Sequence, residues 1–405
     1  MPVTLSTQWQ RMLCASLLLI LSIPAMAQLR TLQTAHFLFH FEAPLLGQAQ
    51  KAAKAAEGVY PSVTSRFDWQ PHEKIQVHLV DNVDVSNGWA KPYPRLQMQL
   101  IVSSPDSLNS LETYDNWYSL LIEHELTHIV QMDLAHGEVA GGRKIFGNLV
   151  WLYPNLFQPS WLLEGLAVYQ ETHKFDDKHS IGRGDSAFYR MMMREEVRTG
   201  IKSVQQLNVD YYHWPFGKQY LYGAYFYQFL AARYGEKSVV KLAQEYSDNL
   251  LPFLLNPIAR TSFGKDFQTL WQEFDLWLQV EFAAERVAAP SGVVKPSSVN
   301  LPAQGLSVLS SDGKFLYYLA RDGYHGTRLM QIDQAGQVME LMALPALGNL
   351  SAHPSAGLLY TTPTDYLDGR QLYDIYRIRL AAGKAPSIQA LTHKSRYRQA
   401  CYSLD

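Results

Sequence analysis

The sequence predicts an α+β chain with a small N-terminal lobe of strands and one helix, a larger mostly helical lobe, and a terminal region of short strands. Three observations lead there. Apolar residues alternate in short runs between about residues 35 and 102. From about Asp115 onward they recur at helical spacing. After Pro302 the helical pattern stops, and a turn-and-strand unit returns about 43 residues after its first appearance.

In chain order, residues 35–42 (Ala-His-Phe-Leu-Phe-His-Phe-Glu) read as a strand, and an Ala-rich helix follows from about Gly47 to Phe67. Lys74 to Val80 reads as a second strand. Gln97 to Val102, after the Pro-containing Lys91-Pro92-Tyr93-Pro94, reads as a third. Trp117, Leu120, Leu121, Ile129 and Val130 then mark a helix. Further helices are expected at Trp161–Thr172, Ser186–Thr199, Gln219–Tyr234, Lys237–Ser247 and Phe267–Val287, with Gly235 and Gly264 at helix boundaries. Residues 288–302, rich in Pro, Ser and Val, read as a linker.

Composition narrows the function. Hydrophobic residues make up 47 % and charged residues 18 %, enough apolar material for a folded core. The formal net charge of -2, without a long basic run, argues against a nucleic-acid partner. At the N-terminus, Arg11 precedes the apolar stretch Met12 to Ile23, and Ala25 and Ala27 satisfy the small-x-small rule. Residues 1–27 are therefore expected to be a cleaved signal peptide, which makes the protein exported, either periplasmic or secreted. No second stretch is long enough for a helical span of about 20 residues, so no stable membrane span is expected after cleavage. Cleavage leaves Cys401 as the one cysteine, so a metal would be held by His and carboxylate and not by thiolates.

His124-Glu125-Leu126-Thr127-His128 carries the chemistry. Residues four apart share a helix face, so His124 and His128 can reach one ion, and imidazole nitrogen is a good zinc ligand. Glu125 reaches water beside the ion, where zinc brings the water's pKa towards about 7 and a carboxylate can take its proton. A catalytic zinc takes three protein ligands and one open position. Glu164, the lone acid in Pro159-Ser160-Trp161-Leu162-Leu163-Glu164-Gly165-Leu166-Ala167-Val168-Tyr169, is the leading third ligand. A carboxylate among such apolar neighbours needs a cation or donors to meet it. Glu171 and Glu138 are the reserves. The metzincin extension is absent, since its Gly and third His positions hold Gln131 and Leu134.

An HExxH helix followed by a W-x-x-E-G-x-A helix resembles the gluzincin, or peptidase-MA-like, superfamily over roughly residues 33–285. The resemblance implies a zincin-like fold, a Zn2+ cofactor and a peptide or protein substrate. It implies that a strand just before the zinc helix pairs with extended substrate, here Gln97–Val102, with Asn87-Gly88-Trp89-Ala90 preceding it. It also implies an oxyanion-stabilising tyrosine in a Y-x-x-G helix start. Tyr220-Leu221-Tyr222-Gly223 matches, giving Tyr220 that role with Tyr222 as its alternative and His213 as a weaker donor. The 35 residues between His128 and Glu164 exceed the interval of the aminopeptidase branch. The G-x-M-E-N motif of that branch is also missing. Both points argue against a simple aminopeptidase. The extra stretch, His136 to Ser160, is expected to cover or shape the cleft.

The terminal region resembles TolB-like propeller repeats. Leu309 to Tyr318 is repeated by Ala352 to Tyr360 and begun again at Cys401, while Asp374-Ile375-Tyr376-Arg377-Ile378 and Leu391-Thr392 fit the blade pattern. Two blades and a fragment do not close a ring, which needs about 4–8. The expected order is a signal peptide (1–27), a gluzincin-like metallopeptidase domain (28–287), the linker (288–302) and incomplete β-propeller blades (303–405). The rival expectation is a binding protein that uses the repeats on an inactive zincin scaffold.

Overall fold

The computed structural model describes residues 29–105, 111, 114–147, 154–173, 182–209, 213–251, 253–283, 306–321, 324–381 and 383–403. The expected signal peptide and the expected linker lie outside the described residues.

The first lobe is a mixed five-stranded sheet of order β1-β2-β3-β5-β4 with one helix on it. The strands are β1 (Leu29–Gln33), β2 (Phe37–Glu42), β3 (Ile75–Val80), β4 (Gly88–Lys91) and β5 (Gln97–Ile101). β1 runs antiparallel to β2, β2-β3-β5 are parallel, and β4 is antiparallel to β5. Alternation decides which face is covered: Phe37, Phe39 and Phe41 and then Ile75, Val77 and Leu79 are buried. Helix α1 (Leu46–Phe67) lays Ala49, Ala52, Ala53, Ala56, Val59 and Val63 into the core. Small alanines let the helix lie close to the sheet.

One expectation changes here. Gln97–Val102 lies between β3 and β4, so its ladder is used on both sides and cannot pair with a substrate. The outer strand is β4 (Gly88-Trp89-Ala90-Lys91), a segment expected only to precede the substrate strand.

Helix α2 (Trp117–Asp133) is capped by Asn116, whose side chain accepts a hydrogen bond from the Ser119 N–H at 3.1 Å. It runs through the middle of the protein, and all its residues but Ser119 are buried. Its polar side chains must therefore find partners inside. Gln170 donates to Glu123 at 2.9 Å, Gln131 donates to Gln158 at 2.7 Å, and Trp69 donates to Asp133 at 2.9 Å. The stripe His124, Glu125 and His128 faces a cleft instead.

Helices α3 (Gly137–Phe146), α4 (Ser160–Thr172), α5 (Ala187–Thr199), α6 (Val204–Val209), α7 (Lys218–Tyr234), α8 (Lys237–Tyr246), α9 (Leu255–Phe263) and α10 (Phe267–Glu281) complete this part. Trp161 at the start of α4 is fully buried, with the rings of Phe226, Phe267 and Trp271 at 5.2, 5.6 and 5.5 Å. That cluster fixes α4 against α7 and α10.

The terminal region forms two four-stranded antiparallel meanders: β6 (Leu306–Ser311), β7 (Leu316–Ala320), β8 (Arg328–Ile332) and β9 (Val338–Ala343), then β10 (Asn349–His353), β11 (Gly357–Asp365), β12 (Gln371–Arg379) and β13 (Ser387–Ala390). The repeat seen in the sequence is the first hairpin of each. Gly313 and Gly357 both take positive φ at the turn, +85° and +87°, where an L side chain is strained. Tyr317, Leu319 and Leu329 of one meander share a core with Leu350, Leu358, Tyr360 and Ile378 of the other. The protein is thus mixed α+β with several sheets, and among the described residues no sheet closes into a barrel or ring. No helix among them is long and apolar enough to cross a membrane.

Candidate metal centre

α2 presents His124 and His128 one turn apart, with ring centroids 4.7 Å apart and planes at 89°. Their Nε2 atoms are separated by 3.1 Å. Pro159 ends the preceding segment and α4 starts at Ser160, which puts Glu164 near the helix start, facing α2. Glu164 Oε2 lies 3.3 Å from His124 Nε2 and 3.2 Å from His128 Nε2. The three residues expected as ligands therefore converge on one point.

Two observations test whether an ion fits there. Ligands about 2.0–2.1 Å from a tetrahedral centre are separated by about 3.3–3.4 Å. The three separations here, 3.1, 3.2 and 3.3 Å, are of that size. The second is the donor count. His124 Nδ1 lies 3.1 Å from Glu171 Oε2 and 2.9 Å from Arg183 Nη2; in the tautomer that donates Nδ1–H to Glu171, Nε2 keeps a bare lone pair. A lone pair, a carboxylate oxygen and a second imidazole nitrogen then point at each other. Such a set repels itself unless a cation sits between.

Electrostatics agree. Burial pushes the Glu164 carboxyl up, but the two imidazoles against it prevail and hold it well below the usual carboxylate range. Burial and Arg183 push His124 down. Hydrogen bonds to Glu164 and Glu171 outweigh them and carry it up to about 9. The pocket attracts positive charge, and a proton takes the place when nothing else does.

Behind His124 stands a buried pair. Glu171 follows Glu164 by two helical turns and so shares its face of α4. Arg183 Nε donates to Glu171 Oε1 at 2.8 Å and its Nη2 donates to Oε2 at 3.0 Å, a two-pronged contact. Burial alone would raise Glu171, but Arg183 and His124 bring it down to about 2. Glu171 therefore contacts His124 from behind and is not itself part of the converging set. The other reserve, Glu138, is exposed at the start of α3, and its backbone N–H donates to Asp248.

Glu125 is buried and borders the cleft, with burial pushing its pKa up against the pull of both histidines. The cleft has a volume of about 550 Å³ and brings together His124, Glu125, His128, Glu164, Trp89 and Tyr220. Gly88 opens it from the sheet side: a Cβ there would fall 2.9 Å from Leu121 Cδ1 and 3.0 Å from Glu125 Oε1.

Tyr220 borders the cleft from the first turn of α7, its ring 6.3 Å from His124 and under the Arg183 guanidinium at 5.1 Å. Its alternative, Tyr222, is fully buried elsewhere: it donates to Glu196 and accepts from the Lys202 N–H at 2.9 Å. His213 borders a different pocket, with Glu195 and Thr199. No described residue of the stretch from His136 to Ser160 lines the cleft. Its far wall comes from Arg183, Phe188, Tyr189 and Met192 and from Phe216 and Gly217, none of them singled out from the sequence. Arg183 had no local signal beyond its flanking glycines, because its partners are 12 and 59 residues away.

Compared with known protein families and with curated proteins, the chain matches neither a family nor a protein.

Proposed function

We propose that this protein is an exported zinc peptidase of the gluzincin type, with His124, His128 and Glu164 holding the ion. One observation carries the reading: two imidazoles from α2 and a carboxylate from α4 converge at ligand spacing, beside a buried carboxylate that borders an open cleft.

A bound zinc ion supplies Lewis acidity to the substrate carbonyl and makes water a stronger acid. The rest is the work of this chain's own groups. β4, which among the described residues pairs with no strand on its outer side, offers backbone N–H and C=O groups to an extended peptide, and Trp89 and Ala90 border the cleft there. Glu125 takes the proton of the attacking water and passes it to the leaving amine nitrogen as the C–N bond breaks. Its raised pKa suits both duties. Tyr220 donates its hydroxyl to the oxygen that gains charge. The Arg183–Glu171 pair keeps His124 turned towards the ion.

In the same reading the two meanders are blades of a TolB-like propeller, supported by four antiparallel strands in each and the repeated glycine turn. The apolar N-terminal segment with its Ala-x-Ala site supports export.

The test is metal content joined to one substitution. Purified protein should hold one zinc ion and cleave a general peptide library until a chelator is added, with zinc restoring cleavage. Glu125→Gln should keep the ion and lose about 10²–10⁴-fold in rate. Wild-type rates in Glu125→Gln would sink the mechanism. A folded protein that takes up no zinc favours the non-catalytic binding scaffold.

A further inference from the structure

We propose that Asp84, gripped by Arg396, is a positioning residue through which the terminal sheets hold the substrate-facing strand β4 in place. The catalytic half of this inference rests on the peptidase reading; the structural half does not.

Residues 81–87 connect β3 to β4. Although a connector, this segment is tied down from the far end of the chain. Asp84 is buried, its Oδ1 accepting from Arg396 Nε at 2.8 Å and its Oδ2 from the Tyr373 N–H at 2.9 Å. Arg396 also donates to both carboxylate oxygens of Asp81, at 2.9 and 2.5 Å. The backbone is joined as well. The Asp84 N–H donates to Gln371 O at 2.9 Å and the Gln371 N–H donates to Asn82 O at 2.9 Å, making a parallel bridge from Val83 to the start of β12. Arg398 adds a bond to Ser104 O at 2.5 Å, on the segment just after β5.

What Arg396 holds is two residues from the cleft and four from the start of β4. Past Asp84, Ser86 donates to Ser103 O at 2.7 Å, and Ser86 and Asn87 line the cleft before β4 begins at Gly88. Gly88 is the residue whose Cβ position meets the Glu125 carboxylate. A short covalent path therefore links the Arg396 grip to the spacing between β4 and the proposed general base. Among the described strands β4 has one paired neighbour, β5, so its position depends more than that of an inner strand on what anchors its ends.

Removing the guanidinium leaves the Asp84 carboxylate buried with a single backbone donor. The available relief is for the 81–87 segment to turn outward so that water reaches the carboxylate, and β4 is carried with it. An extended substrate needs that strand in register; a minimal substrate that touches only the metal centre does not.

The experiment uses the full chain as wild type, Arg396→Ala, Arg396→Lys and Asp84→Asn. Amide exchange is followed over residues 81–91 and over α2, together with zinc content and kinetics on a ten-residue and a two-residue peptide substrate. In Arg396→Ala, exchange over 81–91 should quicken about tenfold or more while α2 keeps its protection. KM for the long peptide should rise about fivefold or more, with kcat on the short one within about twofold of wild type. Arg396→Lys should recover most of both, and zinc content should stay at one. Unchanged exchange over 81–91 in Arg396→Ala overturns the proposal, as does an equal loss of protection in α2. If Arg396→Ala does not fold, Asp84→Asn decides by the same criteria. If no form, wild type included, cleaves peptide, the peptidase reading fails while the exchange data still decide the anchor.

Discussion

Gly165 of α4 and Gly223 of α7 meet backbone to backbone: a Cβ added to Gly165 would lie 2.3 Å from the Gly223 Cα, and one added to Gly223 would lie 2.1 Å from Trp161 O. These glycines adjoin the two residues that the helices bring to the cleft, Glu164 one position before and Tyr220 three positions before. The crossing therefore sets the separation of a proposed ligand and a proposed oxyanion donor. Gly165→Ala has no flexible side chain to displace, only backbone, and should cost about 1–3 kcal/mol or more of stability. Thermal unfolding of the zinc-free protein measures that cost. Zinc titration should show weaker binding as well, because α4 can make room only by moving Glu164. Wild-type stability in Gly165→Ala would mean the helices are not held at this distance.

The Arg183–Glu171 pair makes a prediction about non-additivity. Both side chains are nearly inaccessible, 6 % and 0 % exposed. Arg183→Met strands a buried carboxylate and should cost about 3–5 kcal/mol in urea unfolding. Adding Glu171→Gln removes the stranded charge, so the double variant should be more stable than Arg183→Met alone. Glu171→Gln by itself should weaken zinc binding about 10–100-fold by loosening the orientation of His124. Additive costs in the double variant would show that the two residues act independently.

How much of this was legible beforehand depended on whether the signal was local. α2 and α4 were readable because periodicity and the H-E-x-x-H and W-x-x-E-G spacings lie within single helices, and Glu164 stood out as a lone acid on an apolar face. β4 was missed because Gly-Trp-Ala-Lys shows no alternation and is bracketed by Asn87 and Pro92, which read as loop. α3 was missed because Gly137, Gly141 and Gly142 weaken a helix on propensity alone. Expecting Gln97–Val102 to be the open strand missed the strand order, which depends on pairings between distant segments. Arg183 and the Asp84–Arg396 contact were invisible for the same reason: the second joins residues 312 apart.

Glu57 on α1 gives a pH prediction outside the cleft. Burial raises its pKa, but hydrogen bonds from Thr34, from the His36 N–H at 2.9 Å and from the His36 ring at 2.7 Å bring it below the usual carboxylate value. A carboxylate depressed on folding stabilises the protein above its unfolded pKa of about 4.3 and loses that contribution as pH falls through the folded value. Wild type should therefore exceed Glu57→Gln in stability at pH 6, and the gap should shrink below about pH 4. Urea midpoints across that range measure it. A gap that widens on acidification would reverse the sign and exclude this account.

Tyr220 is the most exacting test of the proposed chemistry, because its removal can be made nearly silent structurally. Burial and the charge of Glu164 both push its hydroxyl above the ordinary tyrosine value. The phenol therefore stays protonated, and able to donate, throughout the working pH range. Tyr220→Phe keeps the ring beneath Arg183, so the cation–π contact at 5.1 Å persists and stability should move little. Zinc content should also stay unchanged, since the hydroxyl is not among the converging ligands. What is lost is one donor to an oxygen that gains charge only on the way to the transition state, which should lower kcat about 10²–10³-fold with KM little altered. A variant with unaltered kcat leaves the oxyanion role to another group. One with lowered zinc affinity instead would move Tyr220 from chemistry to the architecture of the site.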